Sequence, residues 1–98
     1  MKLDKTRILK ILKEVEREIK SKYKVKSIGL FGSYVKDIQK ESSDIDFLVE
    51  FEKGADLIHY MGLILYLEEK FNRKVDVISK PALKDDLKEA ILQEVLYE

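Results

Sequence analysis

Apolar residues recur along this chain in two rhythms, one helical and one of strands. From about Asp4 to Lys22, Ile8, Ile11, Leu12, Val15 and Ile19 fall on one stripe at helical spacing. Asp4 is placed to cap that helix, and Glu16 and Lys20 form an i,i+4 pair on its solvent side. Val25 to Phe31 reads as a strand stopped by Gly32, and Ser33 to about Ile38 predicts one or two helical turns. After a polar loop over Lys40 to Ser43, the stretch from Asp44 to Phe51 predicts a second strand, with Ile45, Phe47, Val49 and Phe51 on one face. Glu52 to Ala55, which contains Gly54, predicts a turn.

Asp56 then caps a helix from about Leu57 to Phe71, whose apolar positions include Leu57, Met61, Ile64, Leu65 and Phe71, with Asn72 as its stop. Lys74 to Ile78 predicts a third strand. Ser79 and Pro81 open a last helix, since proline is tolerated where the N–H has no intrahelical partner. Leu83, Leu87, Ala90, Ile91 and Val95 give that helix an expected buried stripe. The order is α-β-α-β-α-β-α: an α/β (α+β) fold in which helices cover a small, mixed, three-stranded sheet.

Composition narrows the possible functions. With 98 residues the chain is expected to form a single domain spanning 1–98. Lys and Arg number 19 and so do Asp and Glu, and zero net charge argues against a domain that lives on non-specific nucleic-acid binding. There is no cysteine, and His59 is the one histidine, so thiolate and histidine-rich metal sites are excluded from this chain alone. The longest apolar run, Tyr60 to Leu67, is far below the ~20 residues that span a bilayer. The expectation is a cytoplasmic protein with no membrane contact.

Three features carry candidate chemistry. Asp44 and Asp46 are two apart at the start of a strand, so their side chains share a face, about 6.5–7 Å apart at Cα, opposite Ile45 and Phe47. Neighbouring carboxylates repel unless a cation lies between them, and oxygen donors suit a hard ion such as Mg²⁺. Asp76 interrupts the apolar run Val75-Asp76-Val77-Ile78. If its strand lies beside the second, at about 4.8 Å, Asp76 joins the other two, and three carboxylates suit two divalent ions about 3.5–4 Å apart. Gly32-Ser33 follows the first strand directly: glycine admits a phosphate to the backbone, a helix starting there offers unpaired N–H groups, and Ser33 adds a hydroxyl. Lys36, one turn on, is placed to neutralise a polyphosphate tail.

Gly32-Ser33, ten residues, then Asp44-Ile45-Asp46 resembles the G-S-x10-D-x-D signature of the DNA polymerase β nucleotidyltransferase superfamily. The stretch GLFGSYVKDIQKESSDIDFLVEF is more closely similar to the minimal nucleotidyltransferases (MNT) of HEPN/MNT toxin–antitoxin pairs. The resemblance runs through RKVDVIS to the closing PALKDDLKEAILQEVLYE. It implies two Mg²⁺ ions on Asp44, Asp46 and Asp76, and a nucleotide triphosphate held by Gly32 and Ser33. It also implies an antitoxin that transfers AMP from ATP to a tyrosine of a HEPN ribonuclease toxin. Many relatives have arginine where this chain has Lys36, which keeps the charge but loses the bidentate fork.

Two alternatives stand beside that expectation. One is nucleotidyl transfer to a small-molecule hydroxyl; the other is a non-catalytic antitoxin that acts by binding its partner. The shortness of the chain favours an acceptor brought by a partner. His59 is expected on a helix surface and not as a catalytic base. Tyr60, Tyr66 and Phe71 are expected in the core or an interface, and Asp85-Asp86 in the first turn of the last helix, where they suit its dipole.

Overall fold

The computed structural model describes residues 2–97. Helix α1 (Lys5–Tyr23) starts at Asp4, whose carboxylate accepts from the Arg7 N–H at 2.9 Å, and ends at Lys24 in the left-handed region at φ 53°. Strands β1 (Val25–Phe31) and β2 (Ile45–Phe51) pair antiparallel. Helix α2 (Leu57–Phe71) follows and is stopped by Asn72 at φ 51°. Its start is closed reciprocally: Asp56 accepts from the His59 N–H while His59 Nδ1 accepts from the Asp56 N–H, both at 3.1 Å. His59 therefore has a structural task, as a surface residue of this helix.

Strand β3 (Val75–Ser79) lies parallel to β2. A short 3-10 turn (Lys80–Ala82) leads to α3 (Asp85–Glu94), which carries Asp85 and Asp86 in its first turn as expected. A last strand, β4 (Leu96–Tyr97), pairs antiparallel with β1. The sheet is mixed and its order is β3-β2-β1-β4.

One face of the sheet is covered by α1 and α2. Ile8, Leu12, Val15 and Ile19 of α1 meet Leu63, Leu67 and Phe71 of α2 over Val25, Ile28, Leu30, Ile45, Phe47, Val49, Val75 and Val77. Every one of the α1 stripe positions but Ile11 is buried, and Ile11 packs at its margin. Glu16 and Lys20 form their pair at 2.6 Å. Tyr60 and Tyr66 pack partly buried against this core, each closed by a hydrogen bond: Tyr60 donates to the Val77 carbonyl and Tyr66 to Glu18, both at 2.6 Å. The opposite face carries Gly29, Phe31, Asp46, Leu48 and Asp76, as the pairings Gly29 with Leu48, Phe31 with Asp46, and Asp46 with Asp76 require.

Four expectations are corrected. The sheet has four strands and not three, because Val95 leaves the helical region (φ −62°, ψ 134°) and lets Leu96–Tyr97 join the edge of β1. Ser33 to Ile38 is not a helix: the Val35 and Lys36 N–H groups both donate to the Gly32 carbonyl, and Asp37 at φ 57° ends the turn before a second can form. The buried face of α2 is Leu63, Leu67 and Phe71, while Leu57, Met61 and Leu65 are exposed. The run Tyr60 to Leu67 is apolar all round, so its spacing could not choose a side. Finally, α3 buries no residue at all, and Leu87 is 54% exposed. Leu83, Ile91 and Val95 of the expected stripe are partly covered, Val95 against Gly29 of β1, while Leu87 and Ala90 are exposed.

Candidate active site

Register decides whether the carboxylates meet. In the parallel β2–β3 pair Asp46 is the direct partner of Asp76, so both side chains stand on the same face, the one turned away from α1 and α2. Ile45 with Val75, and Phe47 with Val77, flank them on the core side. The sequence-based expectation that the strand of Asp76 lies beside that of Asp46 is met. Asp44 lies one residue before β2 and is exposed; it reaches Asp46 through its charge.

Asp46 is half-buried, and this sets its chemistry. Burial first, then the negative charges of Asp76, Asp44 and Glu94, push its carboxyl up from 3.8 to about 6. Three carboxylates thus bear on Asp46, and no lysine or arginine is among the groups that shift it. Hard oxygen donors with excess negative charge fit a divalent cation in kind. Among the described residues, however, no three acidic or histidine side chains converge closely enough to hold a metal ion as they stand. Asp44 and Asp76 are exposed and have room to turn.

The end of β1 supplies the other half. Gly32 sits at φ 83°, and a Cβ there would collide with the Asp46 carboxylate. Only glycine allows the turn and the acid to occupy the same corner. The Gly32 N–H points to a carboxylate, donating to Glu94 Oε1 at 2.9 Å. Lys36, exposed one turn on, reaches Glu94 Oε2 at 3.6 Å. Ser33 is half-buried beside Gly32, and its carbonyl accepts from the Ile38 N–H at 3.1 Å. Lys5 of α1 ties the turn down through Asp37 at 3.0 Å. Gly32, Lys36, Asp46 and Asp76 are therefore brought to one end of the sheet, with Ser33 and Asp44 next to them in the chain.

Glu94 is the residue that the sequence reading missed. It follows Asp46 by 48 positions, and it comes at the end of a helix whose spacing suggested only packing. Its polar side chain between Leu92 and Val95 was the sole trace, and acids are common in this chain.

The fold, with its mixed sheet, is that of a nucleotidyltransferase, and the chain belongs to the nucleotidyltransferase domain family, whose model matches residues 12–97. Among its relatives, the protein adenylyltransferase MntA of Thermococcus cleftensis is 39% identical over 87 residues, covering 89% of this chain and 88% of that protein. MJ1215 of Methanocaldococcus jannaschii, named as a candidate protein adenylyltransferase, is 47% identical over 76 residues, covering 78% and 88%. A solved structure described as a candidate minimal nucleotidyltransferase superposes with a TM-score of 0.83 at 29% identity, covering 98% of this chain and 97% of that one. A chain of a toxin–antitoxin crystal structure with AMP-PNP superposes with a TM-score of 0.66 at 26% identity, covering 96% and 71%.

Proposed function

We propose that this chain is the antitoxin of a HEPN/MNT pair, and that it transfers AMP from ATP to a tyrosine hydroxyl of its HEPN ribonuclease partner. The observation that carries the reading is the in-register pair Asp46 and Asp76 beside the Gly32 amide and Lys36. The MntA relative named as a protein adenylyltransferase supports transfer to a protein, and the AMP-PNP complex of a toxin–antitoxin neighbour supports an adenine nucleotide as donor.

In this reading Asp44, Asp46 and Asp76 would hold two Mg²⁺ ions, which when bound neutralise phosphate charge and make the incoming hydroxyl a better nucleophile. The Gly32 N–H, the Ser33 hydroxyl and the Lys36 ammonium receive the β- and γ-phosphates, and the glycine lets them approach the backbone. The tyrosine oxygen attacks the α-phosphorus, the bond to pyrophosphate breaks, and the hydroxyl proton passes to solvent. Positioning and electrostatics carry the rate.

The test is the mass of the partner. Incubated with this protein, ATP and Mg²⁺, a co-encoded HEPN protein gains one or more AMP units on tyrosine, and its ribonuclease activity falls in step. Loss of ribonuclease activity at unchanged mass would contradict transfer and leave inhibition by contact.

A further inference from the structure

In the anion cradle, one carboxylate stands where phosphate is expected. Glu94 accepts from the Gly32 N–H at 2.9 Å through one oxygen and faces the Lys36 ammonium at 3.6 Å through the other. Both donors are those that the nucleotidyl-transfer reading gives to the triphosphate, on which this inference rests. We propose that Glu94 is a built-in stand-in for the triphosphate: it occupies the cradle in the nucleotide-free protein and must leave it when ATP binds, which sets the affinity for the donor.

Three features separate this from an ordinary surface ion pair. First, the Glu94 carboxylate shares its surroundings with Asp46, whose charge repels it, so the Gly32 amide and Lys36 are what hold it there. Second, a carboxylate and a phosphate oxygen ask the same of a backbone N–H and an ammonium, so the two compete for one set of donors. Third, Glu94 rides on a segment that can yield. It is the last residue of α3, a helix without a buried side chain, and β4 beyond it is two residues long. Few buried contacts oppose a local opening of such a segment. Displacement costs the two contacts that Glu94 makes, together with any part of the short β1–β4 pairing that moves with it.

Competition predicts a direction that a structural role does not. Binding of ATP, tripolyphosphate and adenosine, each with Mg²⁺, is measured by titration calorimetry for the wild type, Glu94→Gln and Glu94→Ala. Glu94→Gln keeps an acceptor for the Gly32 N–H and so guards against loss of the fold. In both variants ATP and tripolyphosphate should bind about three- to tenfold more tightly, the size of one lost ion pair with its repulsion, while adenosine is unchanged. The KM for ATP should fall in parallel. If the wild type binds ATP and both variants bind it equally or more weakly, Glu94 props the turn open for nucleotide and the inference is overturned, with nucleotidyl transfer intact. If the wild type binds neither ATP nor tripolyphosphate, the reading of the cradle falls with it.

Discussion

Asp46 and Asp76 stand side by side in register across the parallel β2–β3 pair, on the face of the sheet away from α1 and α2. Burial and three neighbouring carboxylates hold Asp46 protonated up to about pH 6. A fold that only had to be stable would not assemble like charges on a strand. Such a cost is characteristic of sites kept for chemistry.

That cost has a sign in pH. The unfolded chain releases the Asp46 proton near its ordinary 3.8, the folded chain only near 6, so between these values the folded state binds more protons. Stability therefore falls as pH rises through this window and stays reduced above it. Discounted for a half-exposed group, the penalty is about 1 kcal/mol. Urea unfolding at pH 4 and pH 7 should show the wild type losing that much more than Asp46→Asn. Equal losses would mean that Asp46 is not strained.

A divalent cation should repay the penalty. At pH 7, Mg²⁺ at ten times its dissociation constant stabilises the site by about 1.4 kcal/mol, raising the melting temperature of the wild type. Asp46→Asn and Asp76→Asn should melt at or above the wild-type temperature without Mg²⁺ and gain little on its addition. Undiminished gain in both variants would place the cation elsewhere.

Gly32→Ala tests the corner where turn and acid meet. The added methyl has to avoid the Asp46 carboxylate from a backbone at φ 83°. A cost of about 1–3 kcal/mol in folding stability is expected, together with loss of nucleotide transfer. A variant of wild-type stability and activity would contradict the close packing of Gly32 on Asp46.

Much of this arrangement was legible in the sequence, for physical reasons that differ by element. The α1 stripe has one clean period and a polar opposite face, so its core side followed directly. Asp4, Asp56 and Asn72 cap and stop their helices because short acids and asparagine satisfy helix ends locally. Asp76 could be placed because a charge inside an apolar strand needs a reason. The rest depended on tertiary partners. Nothing in Leu63 as against Leu65 says which one faces the sheet. Nothing in the Leu83 to Val95 stripe says that no residue of α3 becomes fully buried, and Glu94 finds Gly32 where β4 returns to the edge of β1.

That return depends on Gly29. A Cβ at this position would come within 2.6 Å of Val95 and 2.9 Å of Tyr97. Gly29→Val should push the closing segment off β1 and speed amide exchange at Leu96 and Tyr97, with the α1–α2 core unaltered. Unchanged exchange would mean that the segment accommodates the side chain.

Lys36 separates charge from geometry. Lys36→Ala should weaken ATP binding about three- to tenfold, a partly exposed charge being worth a modest amount. Lys36→Arg, which restores the cation and adds a fork, should equal or exceed the wild type. Weakening of the same size in both variants would show that fit, not charge, is what this side chain provides.

The central claim is that Asp46 and Asp76 direct attack at the α-phosphorus of ATP. Its most direct measurement uses ATP labelled at either the α- or the γ-phosphate, with Mg²⁺ and a co-encoded HEPN protein as the proposed partner. The account predicts label on the partner from the α-position alone, with pyrophosphate released, and none with Asp46→Asn or Asp76→Asn. Label from the γ-position, or transfer that survives both substitutions, would contradict it.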